Sequence, residues 1–171
     1  TNTYAPLEVL KEKYETILAQ DDVEAVIRRG DGIVDGITEN APDSEIIARQ
    51  NASNTDLGMK VSESVMLAHP EVNVVCACDD YTAIGAYEAI RAMGDIDENF
   101  YVGGCDATDE GKEKMKAENS IYRSSINLFP YDAGYDIAYA MFEYLTENQE
   151  DAVVERHYEP VWQTDVAGEE K

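Results

Sequence analysis

The chain has 171 residues, which is enough for one sizeable hydrophobic core and too few for two ordinary domains. Its 36 acidic and 13 basic residues give a net charge of -23, and such a surface repels the phosphates of nucleic acids and of anionic membranes. We therefore expect neither a nucleic-acid-binding protein nor a membrane-surface protein.

The first part of the chain alternates between helical and extended patterns. Apolar spacing predicts, in order, a helix over 6–20, a strand over 23–27, a helix over 31–40, a strand over 44–49 and a helix ending at 68. The polar loop before that last helix offers Thr55 or Asp56 as its N-cap. The order of these elements indicates βα units.

The second part continues the alternation. It predicts strands over 72–78, 100–106 and 121–127, helices over 82–93, 109–118 and 131–148, extended residues at 153–154 and 158–162, and a frayed acidic tail over 165–171. Ile137, Met141 and Leu145 are predicted to face inward from the long helix. The fold class expected from this order is α/β, a three-layer α/β/α sandwich with a mostly parallel sheet.

Polar side chains gather where strands end. Asp79 and Asp80 follow the third strand directly, and Asp106 follows the fourth, while Arg29 follows the first predicted strand. In open α/β sheets, ligands bind outside the carboxyl ends of strands. Carboxylates and a guanidinium can together grip the vicinal hydroxyls of a polyol such as a sugar. We expect Arg29, Asp79 and Asp106 to contact a ligand and Asp80 to cap a helix, the alternative being that all three aspartates only cap helices.

Aromatic residues flank the same strand ends. Tyr81 follows the aspartate pair and Phe129 follows the fifth strand, so each is a candidate for stacking on the apolar face of a sugar, or for plain packing. Tyr131, Tyr135 and Tyr139 form one stripe of the long helix, which indicates a core or an interface.

Signals for catalysis and for metal binding are weak. The chain has neither a G-x-S-x-G turn nor a G-x-x-x-x-G-K-[ST] phosphate loop, so we expect no enzyme activity and no cofactor. Cys76, Cys78 and Cys105 are predicted to be buried free thiols. His69 and His157 lie in unrelated segments, so we expect no metal site.

Four segments together resemble one family, the type I periplasmic sugar-binding proteins of the ribose/galactose class, whose ligand domain is shared with LacI-type repressors. The segments are R-G-D-G-I at 29–33, H-P-E-V at 69–72 with D-D-Y-T-A-I-G-A at 79–86, V-G-G-C-D-A at 102–107, and S-I-N-L-F-P at 125–130 with Gly134. Their order and spacing agree over roughly residues 23–164. Asp79 stands where this family usually has asparagine, and Cys105 where it usually has an aromatic residue.

The resemblance implies a fold, a function and an extent. It implies that 21–130 form a C-terminal-type ligand-binding lobe, that 1–20 form a helix or crossover segment, and that 131–171 form a helix and closing strand that cross between lobes. It places Arg29, Asp79 and Asp106 at ligand-contacting positions. The implied function is sugar binding as the solute-binding component of an ABC sugar transporter, here as a single lobe.

The resemblance also implies partners and a location. The ligand would be a monosaccharide or related polyol, the full-length protein would meet an ABC permease, and the location would be extracytoplasmic, with lipoprotein character, in a bacterium. A homodimer through the surface left by the other lobe is a further hypothesis. The effector domain of a LacI-type regulator is the alternative function, and the acidic charge argues against it. A receiver domain is disfavoured because Asp21 and Asp22 precede the first predicted strand instead of following it.

Overall fold

The computed structural model describes residues 14–19, 23–94, 96–146 and 158–167, with the backbone alone at 14–19 and at 144. The chain order of strands and helices is β1 (Tyr14–Ala19), α1 (Glu24–Asn40), β2 (Glu45–Asn51), α2 (Thr55–Ala68), β3 (Val74–Ala77), α3 (Asp80–Ala92), β4 (Tyr101–Cys105), α4 (Asp109–Met115), β5 (Tyr122–Asn127), α5 (Pro130–Leu145), β6 (Glu159–Trp162) and α6 (Gln163–Val166).

One open sheet of six strands runs through the molecule in the order β2-β1-β3-β4-β5-β6. Strands β1 to β5 pair in parallel, and β6 joins β5 antiparallel. A side chain at Gly103 of β4 would meet Tyr101, which lines a groove beside α1, whereas a side chain at Gly104 would meet Asp80 and Ala83 of α3. Since successive strand residues face opposite sides of a sheet, helices cover both faces, as the expected α/β/α layers require.

The first strand corrects two sequence predictions. The helix predicted over 6–20 is wrong at Tyr14–Ala19, which is a strand, and its other residues lie outside the described part of the chain. The strand predicted over 23–27 is wrong as well, because α1 already begins at Glu24. β1 pairs with both β2 and β3, and this central position favours a strand over the helical spacing of its apolar residues.

The sheet face under α2 and α3 carries most of the core. Val75 and Val102 of the sheet and Ile84 and Ile90 of α3 are at most 2% exposed. α2 and α3 approach closely because each has a glycine at the contact: a side chain at Gly85 would clash with the backbone of Thr55, which begins α2. This side of the molecule is therefore closed by interlocking main chains.

Side-chain hydrogen bonds fix the start of α2 and the position of α6. Asn54 is the N-cap of α2, since its side chain accepts a hydrogen bond from the Leu57 amide at 2.9 Å, so the prediction of Thr55 or Asp56 is wrong. The tail predicted to fray over 165–171 is wrong at 165–166, which belong to α6 with Val166 only 3% exposed, and residues 168–171 lie outside the described part of the chain. Arg123 donates a hydrogen bond to the Gln163 side chain at 2.7 Å and so ties α6 to β5.

α5 contrasts with α3 because its large apolar side chains have little packing against the described part of the chain. The predicted inward-facing side chains of Ile137, Met141 and Leu145 are 74%, 59% and 68% exposed. The tyrosine stripe is exposed as well, from 83% at Tyr131 to 46% at Tyr139. The inward prediction is wrong for this chain because no other described element lies over that face.

Candidate functional site

Arg29 and Asp106 meet at the carboxyl edge of the sheet. Arg29 lies on α1 and donates a hydrogen bond from Nη1 to the carbonyl oxygen of Cys78, just after β3, at 2.8 Å. The same nitrogen lies 3.8 Å from Oδ1 of Asp106, which follows β4. Both side chains remain about one-third exposed, at 35% and 33%, so they face solvent as well as each other. The arginine is thus held against one strand end while it faces the carboxylate at the next.

Asp79, and not Asp80, takes the capping role at the start of α3. Asp79 is the N-cap of α3: its carboxylate accepts a hydrogen bond from the Thr82 amide at 2.8 Å and another from the Thr82 hydroxyl at 3.0 Å. Asp80 is fully buried and belongs to the first turn of the helix, so the prediction of Asp80 as the cap is wrong. The cap falls to Asp79 because its extended backbone lets the side chain turn back to the free helix amides.

The carboxylate of Asp106 is perturbed by its surroundings. Burial raises the pKa of Asp106 above its ordinary value, the positive charge of Arg29 counteracts part of that rise, and the charges of Asp80 and Asp79 add to it. Asp79 is therefore close enough to Asp106 for their charges to interact. The edge presents one guanidinium and two partly exposed carboxylates, a set suited to neighbouring hydroxyl groups.

The chain leaves β4 through a strained turn. Asp106 and Ala107 have φ angles of 105° and 49°, which place two consecutive non-glycine residues at positive φ. The Asp106 amide donates a hydrogen bond to the carbonyl of Ile126 at 2.8 Å, and the Ala107 amide donates one to the Ser125 hydroxyl at 3.0 Å. Strained backbone of this kind persists where its surroundings overdetermine it, and it is common at ligand sites.

The two candidate aromatic residues lie near strand ends but outside the Arg29–Asp106 contact. Tyr81 lies in the first turn of α3 and is 53% exposed. Phe129 adopts a φ of 49°, and its amide donates a hydrogen bond to the Asn127 side chain at 2.9 Å. In the described part of the chain, no hydrogen bond or ion pair joins either aromatic residue to Arg29, Asp79 or Asp106, so their stacking role stays a prediction.

A groove of about 620 Å³ lies on the sheet face beside α1. Its lining residues include Arg29, Ile33, Cys76, Cys105, Ser124 and Tyr158. The wall is largely apolar, and it carries one hydroxyl pair, Tyr101 and Ser124, whose oxygens lie 2.6 Å apart. Sequence reasoning missed this groove, although Cys76 of β3 and Gly103 and Cys105 of β4 are small residues at alternate positions, a signal that could have indicated it.

The cysteines are free thiols, as predicted, and two are buried while Cys76 is partly exposed. Burial raises the pKa of Cys78 and of Cys105 to about 11, so neither is a nucleophile at neutral pH. Among the described residues, no group of three histidine, cysteine or acidic side chains is placed to hold a metal ion. Nor is any helix there long and apolar enough to cross a bilayer.

Known proteins resemble the chain in sequence and in structure. The family model described as "Periplasmic binding protein domain" matches residues 9–150. The ribose import binding protein of Salmonella typhimurium is 31% identical over 93 residues, which are 54% of this chain and 30% of that protein. The chain thus spans less than a third of that relative in the match.

Two solved structures share the fold. A periplasmic solute-binding protein of an ABC transporter from Actinobacillus succinogenes, with bound D-allose, superposes with a TM-score of 0.83 at 22% identity, covering 93% of this chain and 56% of that one. The periplasmic component of an arabinose ABC transporter from Shewanella sp. ANA-3, bound to L-arabinofuranose, gives 0.80 at 20% identity, covering 94% and 54%. The family model covers most of the chain, and the chain therefore belongs to the periplasmic binding protein domain family.

Proposed function

We propose that the chain is the C-terminal-type lobe of a sugar-binding protein and that it binds a monosaccharide or related polyol at the edge formed by Arg29, Asp79 and Asp106. The observation that carries this proposal is the pairing of Arg29 with Asp106 at 3.8 Å, with Asp79 near enough to influence the charge of Asp106. A planar donor beside two acceptors suits adjacent hydroxyls of a sugar ring.

The family and its relatives support a transport role over catalysis. The relatives above are described as binding proteins for ribose, allose and arabinose, and two of them as parts of ABC transporters. We propose that the whole protein delivers its sugar to an ABC permease from an extracytoplasmic location, without catalysing a reaction. In that protein, the edge described here would form one wall of a cleft and a second lobe the other, with Tyr81 and Phe129 near its rim.

Binding by this chain alone is expected to be weak, since a single wall leaves most of a ligand in water. The test is an NMR titration of the 171-residue chain with D-ribose, D-allose and L-arabinose. We expect shifts of the amides near Asp79 and Asp106 with a dissociation constant of about 1 mM or weaker. Absence of any saturable shift up to about 100 mM of all three sugars would refute sugar binding at this edge.

Two matched variants separate the site from general charge effects. Asp106→Asn removes a proposed contact, while Asp109→Asn removes a fully exposed carboxylate three residues further on. We expect Asp106→Asn to weaken sugar binding at least about tenfold and Asp109→Asn to leave it unchanged. Asp79→Asn is the suitable change at the cap, because asparagine also caps helices well and thereby keeps α3 intact. Equal effects of the changes at 106 and 109 would refute the site.

We also propose that the exposed face of α5 packs against another protein surface, which is a second lobe in a longer protein and a second copy of this chain when the chain is alone. Large apolar side chains cover this face, with Tyr131, Ile137 and Leu145 all more than 65% exposed. Apolar patches of this kind mark interaction surfaces in soluble proteins.

Sedimentation equilibrium over a wide range of concentration tests the dimer. We expect dissociation into monomers only on dilution, and we expect the double change Ile137→Asp with Leu145→Asp to abolish the dimer. Leu67→Asp on α2 is the control, because Leu67 is 81% exposed on a helix whose other face is packed. A monomer at every concentration would exclude the second copy as the partner of α5.

A further inference from the structure

Asp80 is fully buried and its carboxylate is fully hydrogen-bonded, although a position in the first turn of a helix requires neither. It is 0% exposed, and four donors reach its two carboxylate oxygens. The Tyr122 and Ser125 hydroxyls donate to Oδ1 at 2.6 and 2.5 Å. The Thr108 amide and hydroxyl donate to Oδ2 at 2.6 and 2.8 Å. A buried carboxylate is costly unless its oxygens are satisfied, and here each oxygen accepts two bonds.

The protein makes room for this carboxylate at two glycines. A side chain at Gly104 of β4 would approach Oδ1 of Asp80 to 2.6 Å, and one at Gly111 of α4 would approach Oδ2 to 2.6 Å. Neither position tolerates even a methyl group while Asp80 stays in place. Asp80 therefore joins the start of α3 to β4, β5 and α4 at a single point, directly beneath the carboxyl edge of the sheet.

The donors of Asp80 also hold the strained turn after β4. Ser125 donates its hydroxyl proton to Asp80 and accepts the Ala107 amide at 3.0 Å, so one hydroxyl links the carboxylate to the turn. Thr108, the next residue, is fixed to Asp80 by two bonds and caps α4 through its side chain. The positive φ angles of Asp106 and Ala107 are thus clamped from both sides.

We propose that Asp80 is the positioning residue of the sugar edge: through Ser125 and Thr108, its buried carboxylate holds the turn that aims Asp106 at Arg29. We call the contacts of Asp80 with Ser125 and Thr108 the clamp. The consequence of the clamp for sugar binding rests on the proposed function, whereas its effect on the turn can be tested without any sugar. Asp80 contacts no ligand in this arrangement and acts through the geometry of Asp106.

The cleanest test compares two hydroxyl deletions at the same carboxylate oxygen. Ser125→Ala and Tyr122→Phe each remove one donor to Oδ1 of Asp80, but only Ser125 also holds the Ala107 amide. We expect Ser125→Ala to speed hydrogen exchange at the Ala107 and Thr108 amides at least about tenfold beyond any change in global stability. Tyr122→Phe should lower global stability, and any faster exchange at these two amides should be explained by that loss alone. Equal local effects of the two variants would overturn the proposal.

Asp80→Asn completes the test, with Val72→Ala as a control of comparable loss of stability. Val72 is 2% exposed and precedes β3, at the far end of the sheet from Asp80. We expect Asp80→Asn to raise exchange at Ala107 and Thr108 and to weaken sugar binding about tenfold, whereas Val72→Ala does neither. Slow exchange at both amides in Asp80→Asn would refute the clamp. Failure of the unmodified chain to bind any sugar would refute the proposed function and leave the exchange result decisive for the clamp.

Discussion

Helices α3 and α5 are both rich in apolar residues, yet α3 is largely buried and the large apolar side chains of α5 are exposed. In α3, nine of thirteen residues are buried between α2 and the sheet. In α5, large apolar side chains such as Ile137 and Leu145 are mostly exposed. Hydrophobic side chains show that a helix needs a partner, and they do not show whether that partner lies in the same chain. The difference teaches that, among the described residues, the side of α2 and α3 is closed by packing, whereas the apolar face of α5 is left exposed.

The carboxyl edge of the sheet lies between these extremes. Arg29 and Asp106 are about one-third exposed, so they are neither fixed in a core nor free on a surface. In the two-lobed protein that we propose, the second lobe would face this edge and also pack against α5. Changes on the closed side should therefore affect stability, and changes on the open side should affect recognition.

The largest effect is expected where α2 and α3 interlock. Gly85→Ala places a methyl group against the backbone of Thr55, which cannot move without shifting α2. We expect the free energy of unfolding to fall by more than about 3 kcal/mol, or the chain not to fold. Urea unfolding followed by circular dichroism measures this change.

Gly36→Ala is the matched control for this change. Gly36 lies on α1, with open space where its side chain would be, so alanine should be neutral or stabilise the helix by up to about 1 kcal/mol. A small effect at Gly85, similar to that at Gly36, would mean that α2 and α3 do not interlock.

A second prediction compares the same residue type on the two helices. Ile84→Ala on α3 removes a side chain that is 2% exposed, and we expect a loss of about 2–4 kcal/mol. Ile137→Ala on α5 removes a side chain that is 74% exposed, and we expect a change within about 0.5 kcal/mol at concentrations where the chain is monomeric. Similar losses in both variants, measured by urea unfolding, would show that α5 is buried in the isolated chain.

Much of the fold could be predicted from periodicity because most elements carry a clear local signal. Strand β3 and helix α3, for example, are separated by an abrupt change from apolar residues to two carboxylates. The two errors near the N-terminus have one physical cause. Short apolar runs fit a strand or a helix equally well, and pairing with β2 and β3, distant in sequence, decided the matter for β1.

The sequence predicts which candidate residues lie at the carboxyl edge of the sheet, but it does not predict which of them caps α3. The pattern places Asp79, Asp106 and Arg29 at one edge, and the structure brings Arg29 and Asp106 together. Which of two adjacent aspartates caps α3 depends on donors far along the chain. Tyr122 and Ser125 lie more than 40 residues from Asp80, and no local pattern reveals that they converge on it.

The smallest predicted effect is a pH-dependent change in the free energy of unfolding, and it concerns Asp106 at the carboxyl edge of the sheet. The pKa of Asp106 is raised above its ordinary value of 3.8, chiefly by burial, so folding favours its protonated form. Between the pKa of the unfolded chain and the raised pKa of the folded chain, the native state binds more protons. The contribution of Asp106 to stability is therefore greatest below the lower value and declines as pH rises through the raised one. Asp106→Asn lacks this titration. The attraction between Arg29 and the ionised carboxylate varies with pH as well, and it is already contained in the net rise of the pKa of Asp106. We expect the free energy of unfolding of Asp106→Asn, relative to the unmodified chain, to increase as pH rises from about 3 to about 6. Urea unfolding of both proteins across this range measures the difference. If this difference in the free energy of unfolding stays constant or decreases as pH rises, the carboxylate of Asp106 is as solvent-exposed as the face of α5.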